Sequence, residues 1–252
     1  MRANAALTVE AGPGHRCLLT RVVDSAPIGF RQGREGVYMV GTAAGPLGTD
    51  QLSTTIEVGA GAELTMMSTA ASIIYAGSGS GSRTETVVTV AADATLIWRL
   101  EPTIVTSGSR HHAWTQVWLS PSAQLDWTEL VVCGRDGERP GSLHLRFDVD
   151  AGETPLLRHG LVIGPDGPGW DGPFVLGGRR MLGMRLVRAA EGASIEAGDD
   201  SWGEGFASMC LDERTALVMA VGDEAEVVSG LLARPRFGLP LPTTGASAVR
   251  PS

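Results

Sequence analysis

A chain of 252 residues, 43% hydrophobic and 19% charged, is long enough to bury one substantial core and somewhat long for a single domain. A net charge of −8 and a pI near 5.1 set up no field that attracts phosphate, so nucleic acid is not an expected partner. All 20 basic residues are arginine, which removes Schiff-base lysines and the lysine of a phosphate loop from consideration.

The opening stretch MRANAALTVEAGPG lacks the basic and apolar segments of a secretory signal. No window approaches the 18 consecutive apolar residues of a membrane helix. Cys17, Cys133 and Cys210 are widely spaced and form no CxxC pair, which argues against a disulfide framework and against structural zinc. The expectation is a cytoplasmic protein with no membrane contact.

The first strong pattern begins at Ile56. Ile56-Glu57-Val58-Gly59-Ala60-Gly61-Ala62-Glu63-Leu64 is echoed by Val88 to Leu96 and by Val117 to Leu125, with a weaker copy from Phe147. Each copy has a period-two apolar pair, a short turn of small residues, an alanine, and an apolar residue that starts another strand. The copies start about 30 residues apart, the spacing of a stacked unit that cannot bury its apolar face alone. Between them, Thr84, Thr86, Val88 and Val90 share one strand face, and Trp114, Gln116 and Trp118 share one face of another. An all-β fold of stacked hairpins is expected, with the sheets packed face to face or wound as a superhelix. Met66 to Ala76 fits a strand or a short helix. The glycine-serine run at 77–82 fits a hairpin tip, because no lysine or helix follows it to make a phosphate loop.

His111 and His112 are adjacent, so a strand points them to opposite faces and they cannot jointly chelate one ion. His15, His144 and His159 stand alone and read as structural or solvent-exposed. Asp126 and Glu129 are out of phase. Glu129 falls with Trp127 and Val131 on an apolar face, where a carboxylate must be paired, protonated or functional; a salt bridge to Arg135 is the structural alternative. Cys133 follows Val131-Val132 and reads as a buried, inert thiol. No GxSxG elbow or HExxH motif occurs.

Arg179-Arg180 and Arg185 with Arg188 face either solvent or an acidic partner, and Trp202, Phe206 and Met209 belong to a core or to a partner interface. Ala216 to Val221 reads as a strand. Asp223 as N-cap with Glu226 three residues on opens a helix through about Leu232, which Pro235 stops. One domain over 1–239 and a disordered tail over 240–252 complete the expected organisation.

Several segments in order carry a resemblance. Gly45-Pro46-Leu47-Gly48-Thr49-Asp50, the VGAGAEL turn, Ser68 to Tyr75, Leu100 to Arg110, Glu129 with Gly134-Arg135 and Glu138, and Pro155-Leu156-Leu157 resemble the urease accessory proteins of the UreD (UreH) family. The resemblance spans roughly residues 20 to 235. It departs at Thr49, where the family has a glycine, at Ile73, where it has a lysine, and at Val105 to Ser107, where it has a proline-phenylalanine bend. The resemblance implies a non-enzymatic urease maturation factor that binds urease subunits and UreF-type and UreG-type partners. It implies no tightly bound cofactor, and transient passage of Ni²⁺ along an internal polar route. Matched position by position, Asp50, Ser72, Glu129 and His159 are the candidate donors along that route. Isolated donors suit conduction, which needs weak sequential sites instead of one closed chelate. The alternative is a binding module or a carbohydrate-active hydrolase using Glu101 and Glu129.

Overall fold

The computed structural model describes residues 1–12, 17–193, 195 and 201–233; His15, Pro235 and the tail over 240–252 lie outside them. Its first strands are β1 (Arg2–Ala11), β2 (Cys17–Val23), β3 (Ile28–Gln32), β4 (Val37–Gly41), β5 (Gln51–Val58) and β6 (Glu63–Ser68). β7 (Ser72–Ile74), β8 (Ser82–Val90), β9 (Thr95–Arg99), β10 (Thr103–Val105), β11 (Arg110–Leu119) and β12 (Gln124–Cys133) follow. β13 (Ser142–Ala151), β14 (Thr154–Ile163), β15 (Met181–Arg188), β16 (Ser201–Gly203), β17 (Phe206–Asp212) and β18 (Thr215–Gly222) lead to the helix α1 (Ala225–Leu232). The expected all-β class with one short C-terminal helix is what forms. Met66 to Ala76 holds the end of β6 and all of β7, and no helix.

Each repeat turns from one sheet into the other, and its strands pair with the same strands of the next repeat. Among the described residues, one sheet runs β14-β13-β11-β8-β5-β1-β2 and the other β16-β17-β18-β15-β12-β9-β6-β4-β3, with β10 joining β12 to β7. Parallel pairing puts Ile56, Val88, Val117 and Val149 in one row of the first sheet. Leu64, Leu96 and Leu125 form the matching row of the second. The turns explain the alanines: Ala62, Ala94 and Ala123 are at most 1% exposed and close i→i+3 bonds onto Gly59, Ala91 and Ser120. A larger side chain has no room beside the turn above. The left-handed turn position is taken by Gly61 (φ 66°) and then by Asp93 (φ 57°), asparate and asparagine being the non-glycine residues that best tolerate it.

Two details differ from the sequence pattern. Phe147 pairs with Thr115, and it is Val149 that stands beside Val117, so the fourth copy begins two residues later than the apolar spacing suggests. β1 supplies a further rung, with Leu7 beside Ile56. Its distance along the chain hides it, because β2, β3 and β4 intervene.

Beyond β12 the second sheet continues antiparallel through β15 and β18, and α1 covers its outer face. Met181, Val187, Val218 and Ala220 meet Val228, Leu231 and Leu232 there. Gly183 sets the approach distance, since a Cβ at this position would lie 2.6 Å from Val228 Cγ1 and 2.7 Å from Leu232 Cδ1. Under the helix, Asp126 accepts from Arg185 Nε (2.8 Å) and Nη2 (3.1 Å) and from Arg99 Nη2 (2.8 Å). Arg185 Nη1 also donates to the Leu232 carbonyl at 3.3 Å, a favourable place for a cation at a helix C-terminus. Arg185 and Arg188 are therefore buried, at 5% and 7% exposure, and not surface charges. The helix N-cap is Glu224, without a side-chain cap bond. Asp223 does not cap, because its carboxylate is held by Arg179 Nη1 (2.8 Å) and the Arg180 N–H (3.3 Å).

Candidate functional site

The inward-facing residues of the first sheet change character along the strands. At one end, Ile56, Val58, Val88, Val90, Val117 and Leu119 are all sealed at 3% exposure or less. Two residues earlier on each strand the same face carries Thr54, Thr86 and Thr115, and before those Leu52, Thr84 and Ala113, then Ser82 and His111. Threonine matches valine in shape but carries a hydroxyl, and Ser82 and Ala113 are smaller than any of the residues at the sealed end. A cavity of about 430 Å³ lies between the two sheets at this end.

Trp98 and Trp127, stacked at 4.3 Å, form part of the wall on the second sheet. Exposed residues of the lining, among them Ala43, Ala44, Thr69, Ala70, Ser72 and Glu101, make the rim. Deeper, Glu129 on β12 turns inward from the strand whose outward Asp126 is saturated by arginines. Its Oε2 is shut off from solvent and has no hydrogen-bond partner among the described residues, and the same holds for Trp127 Nε1. Burial pushes the Glu129 carboxyl up to about 7, with the Trp127 indole opposing the rise. The bridge to Arg135 does not form: Arg135 donates to both carboxylate oxygens of Glu138, at 2.9 and 3.1 Å.

His111 faces the cavity from the first sheet and His112 faces out, as adjacent strand positions require. Both nitrogens of His111 are engaged, Nδ1 with Ser82 Oγ at 2.8 Å and Nε2 with Thr84 Oγ1 at 3.0 Å. Burial, aided by the neighbouring His112 charge, holds its pKa down at about 4, with Ser82 opposing. His112 stacks on His144 at 4.6 Å on the outer face, and His144 Nε2 lies 3.4 Å from Asp166.

The candidate donors separate on this geometry. Ser72 is exposed at the rim and Glu129 lies within, both lining the same cavity. Asp50 is buried beside the rim, but its carboxylate is occupied by the Met1 amine at 2.6 Å and the Leu47 N–H at 3.1 Å. His159 sits half-buried on β14 opposite Phe147, outside the cavity lining, with burial lowering its pKa. Glu101 and Glu129 share the cavity as a rim and an interior group. His111 is the functional-looking residue that the sequence reading left aside. Its phase with Ala113 and Thr115, and the matching phase of Ser82, Thr84 and Thr86, was the available signal.

Away from the cavity, burial pushes the Cys133 thiol up to about 12, consistent with an inert core residue. Trp202 is 80% exposed, whereas Phe206 packs against the cluster under α1. No group of three metal-ligating side chains occurs among the described residues. No helix among them is long and apolar enough to cross a membrane.

The family model described as UreD urease accessory protein matches residues 3–251. The chain is 37% identical over 251 residues to the urease accessory protein UreD of Parafrankia sp. (strain EAN1pec), covering 89% of this chain and 84% of that one. The UreD of Frankia alni is 35% identical over 266 residues, with 89% of each chain covered. That of Streptomyces avermitilis is 37% identical over 198 residues, covering 78% and 79%.

Proposed function

The chain belongs to the UreD urease accessory protein family, and on that premise we propose that it acts in urease maturation as a docking body that passes Ni²⁺ through its interior. It binds apo-urease together with UreF-type and UreG-type partners and catalyses no reaction of its own. The observation that carries the reading is the cavity between the sheets, with its hydroxyl-rich wall and the solitary buried carboxylate of Glu129.

A path must bind a cation well enough to admit it and weakly enough to release it. Threonine hydroxyls and a carboxyl that exchanges its proton near neutral pH meet both demands. Ser72 stands where the ion enters and Glu129 where it is held in transit. Asp50 acts at the edge, holding by its hydrogen bond from the Leu47 N–H the turn that follows the lining residues Gly45 and Pro46. His159, beside Phe147 on the neighbouring strand, would serve only a stretch of the path beyond this cavity.

The test is to mature urease with Glu129→Ala and with Glu129→Ala/Ser72→Ala, and to measure bound nickel per active site while checking by co-purification that the accessory complex still forms. Low nickel with an intact complex supports the passage. Full nickel loading leaves a scaffold that only opens urease to its metal, and a complex that never contains urease subunits removes the whole reading.

A further inference from the structure

Resting on the passage proposed above, we infer that His111 is its selectivity element, a single imidazole that favours a borderline transition-metal ion over the hard divalent cations. Among the lining residues the titratable oxygen donors are Glu101, Glu129 and Tyr75, and the rest of the polar lining is mainly hydroxyl; His111 is the one ring-nitrogen donor. Oxygen donors alone suit Mg²⁺, Ca²⁺ and Mn²⁺, whereas imidazole shifts preference toward Ni²⁺, Cu²⁺ and Zn²⁺. An all-oxygen route would therefore pass whichever hard cation is most abundant.

The surroundings of the ring match what a metal-binding imidazole needs. Ser82 is 1% exposed and its Oγ lies 2.8 Å from Nδ1; in the tautomer this inference assigns, with the proton on Nδ1, it accepts the Nδ1–H and orients the ring from behind, as outer-shell partners of metal-ligating histidines do. The Nε2 lone pair then points to Thr84 Oγ1 at 3.0 Å, a hydroxyl that itself lines the cavity. Rotation of Thr84 about χ1 frees the lone pair for a cation at the cost of one neutral hydrogen bond. The ring stays uncharged across the physiological range, because burial disfavours its protonated form, and no proton has to leave before metal binds. Glu129 lines the same cavity from the opposite sheet, so an ion in transit meets one nitrogen and one carboxylate oxygen along with the hydroxyls of the lining. Such a set holds an ion loosely.

The experiment titrates the purified protein with NiCl₂ and, separately, MgCl₂ by calorimetry, in a His112→Gln/His144→Gln background that removes the outer-face imidazoles. His111→Asn is expected to weaken Ni²⁺ about tenfold and to leave Mg²⁺ unchanged. Ser82→Ala, which keeps the ring but loosens its tautomer, is expected to lower the Ni²⁺:Mg²⁺ ratio in the same direction. In the background protein, Ni²⁺ should broaden the His111 ring resonances first. An unchanged Ni²⁺:Mg²⁺ ratio in both variants, or broadening confined to other residues, overturns the inference. If that happens while Glu129→Gln still lowers the nickel content of matured urease, the passage stands and only His111 falls. If the background protein takes up neither ion and Glu129→Gln matures urease normally, both fall.

Discussion

Replacing Glu129 by glutamine keeps the shape and removes the charge, so it measures what the buried carboxylate costs. The group is displaced from its ordinary 4.5 to about 7 by burial. The unfolded chain therefore releases this proton at lower pH than the folded chain does. A raised folded-state pKa means that stability is highest below pH 4.5 as far as this group is concerned, and is lost as pH rises through 7. At 1.36 kcal/mol per pH unit the full loss is about 3 kcal/mol, an upper bound because water drawn into the cavity relieves part of the desolvation. Urea unfolding of both proteins from pH 5 to 9 gives the difference curve. Wild type and Glu129→Gln should nearly coincide at pH 5, and the variant should be the more stable by about 2–3 kcal/mol at pH 9, with an unchanged denaturant slope. A flat difference across that range, or a variant that is less stable at pH 9, would refute the assignment of Glu129 as an interior acid whose charged form is destabilised by burial.

His111→Gln should act on the opposite limb. The native ring resists protonation down to about 4, so wild type loses stability as pH falls from 6.5 toward 4, and the variant should flatten that decline in the same urea series. Asp126→Asn removes the buried carboxylate that Arg185 and Arg99 share and should cost about 3–5 kcal/mol by urea unfolding; the folded-state pKa of Asp126 is lowered, so in wild type this contribution persists above the ordinary carboxylate range and is lost only on acidification below it. Gly183→Ala pushes a methyl against Val228 and Leu232 and should cost about 1–3 kcal/mol, with Val228→Ala in the same chain restoring part of it in thermal unfolding.

The sequence alone determined the strand class and the stacking period, because both follow from local rules. Alternation with a period of two marks each strand, and a turn that must admit a buried alanine at 62, 94 and 123 leaves the same small-residue mark every time. It also determined that His111 and His112 face opposite ways and that Glu129 faces inward while Asp126 does not, since these are questions of phase on one strand. Tertiary structure decided which strands are neighbours. Leu7 stands beside Ile56 although 49 positions separate them, and the fourth copy slides by two residues because Val149, not Phe147, meets Val117. It decided as well that Asp223 answers Arg179 in place of capping α1, and that Asp50 answers the Met1 amine, since competition for a carboxylate depends on groups far away in the chain. The cavity belongs to the same class of fact. A threonine on a strand is polar wherever it occurs, but Thr54, Thr84, Thr86 and Thr115 line one cavity only because the pairing of β5, β8 and β11 gathers them on one face opposite the second sheet.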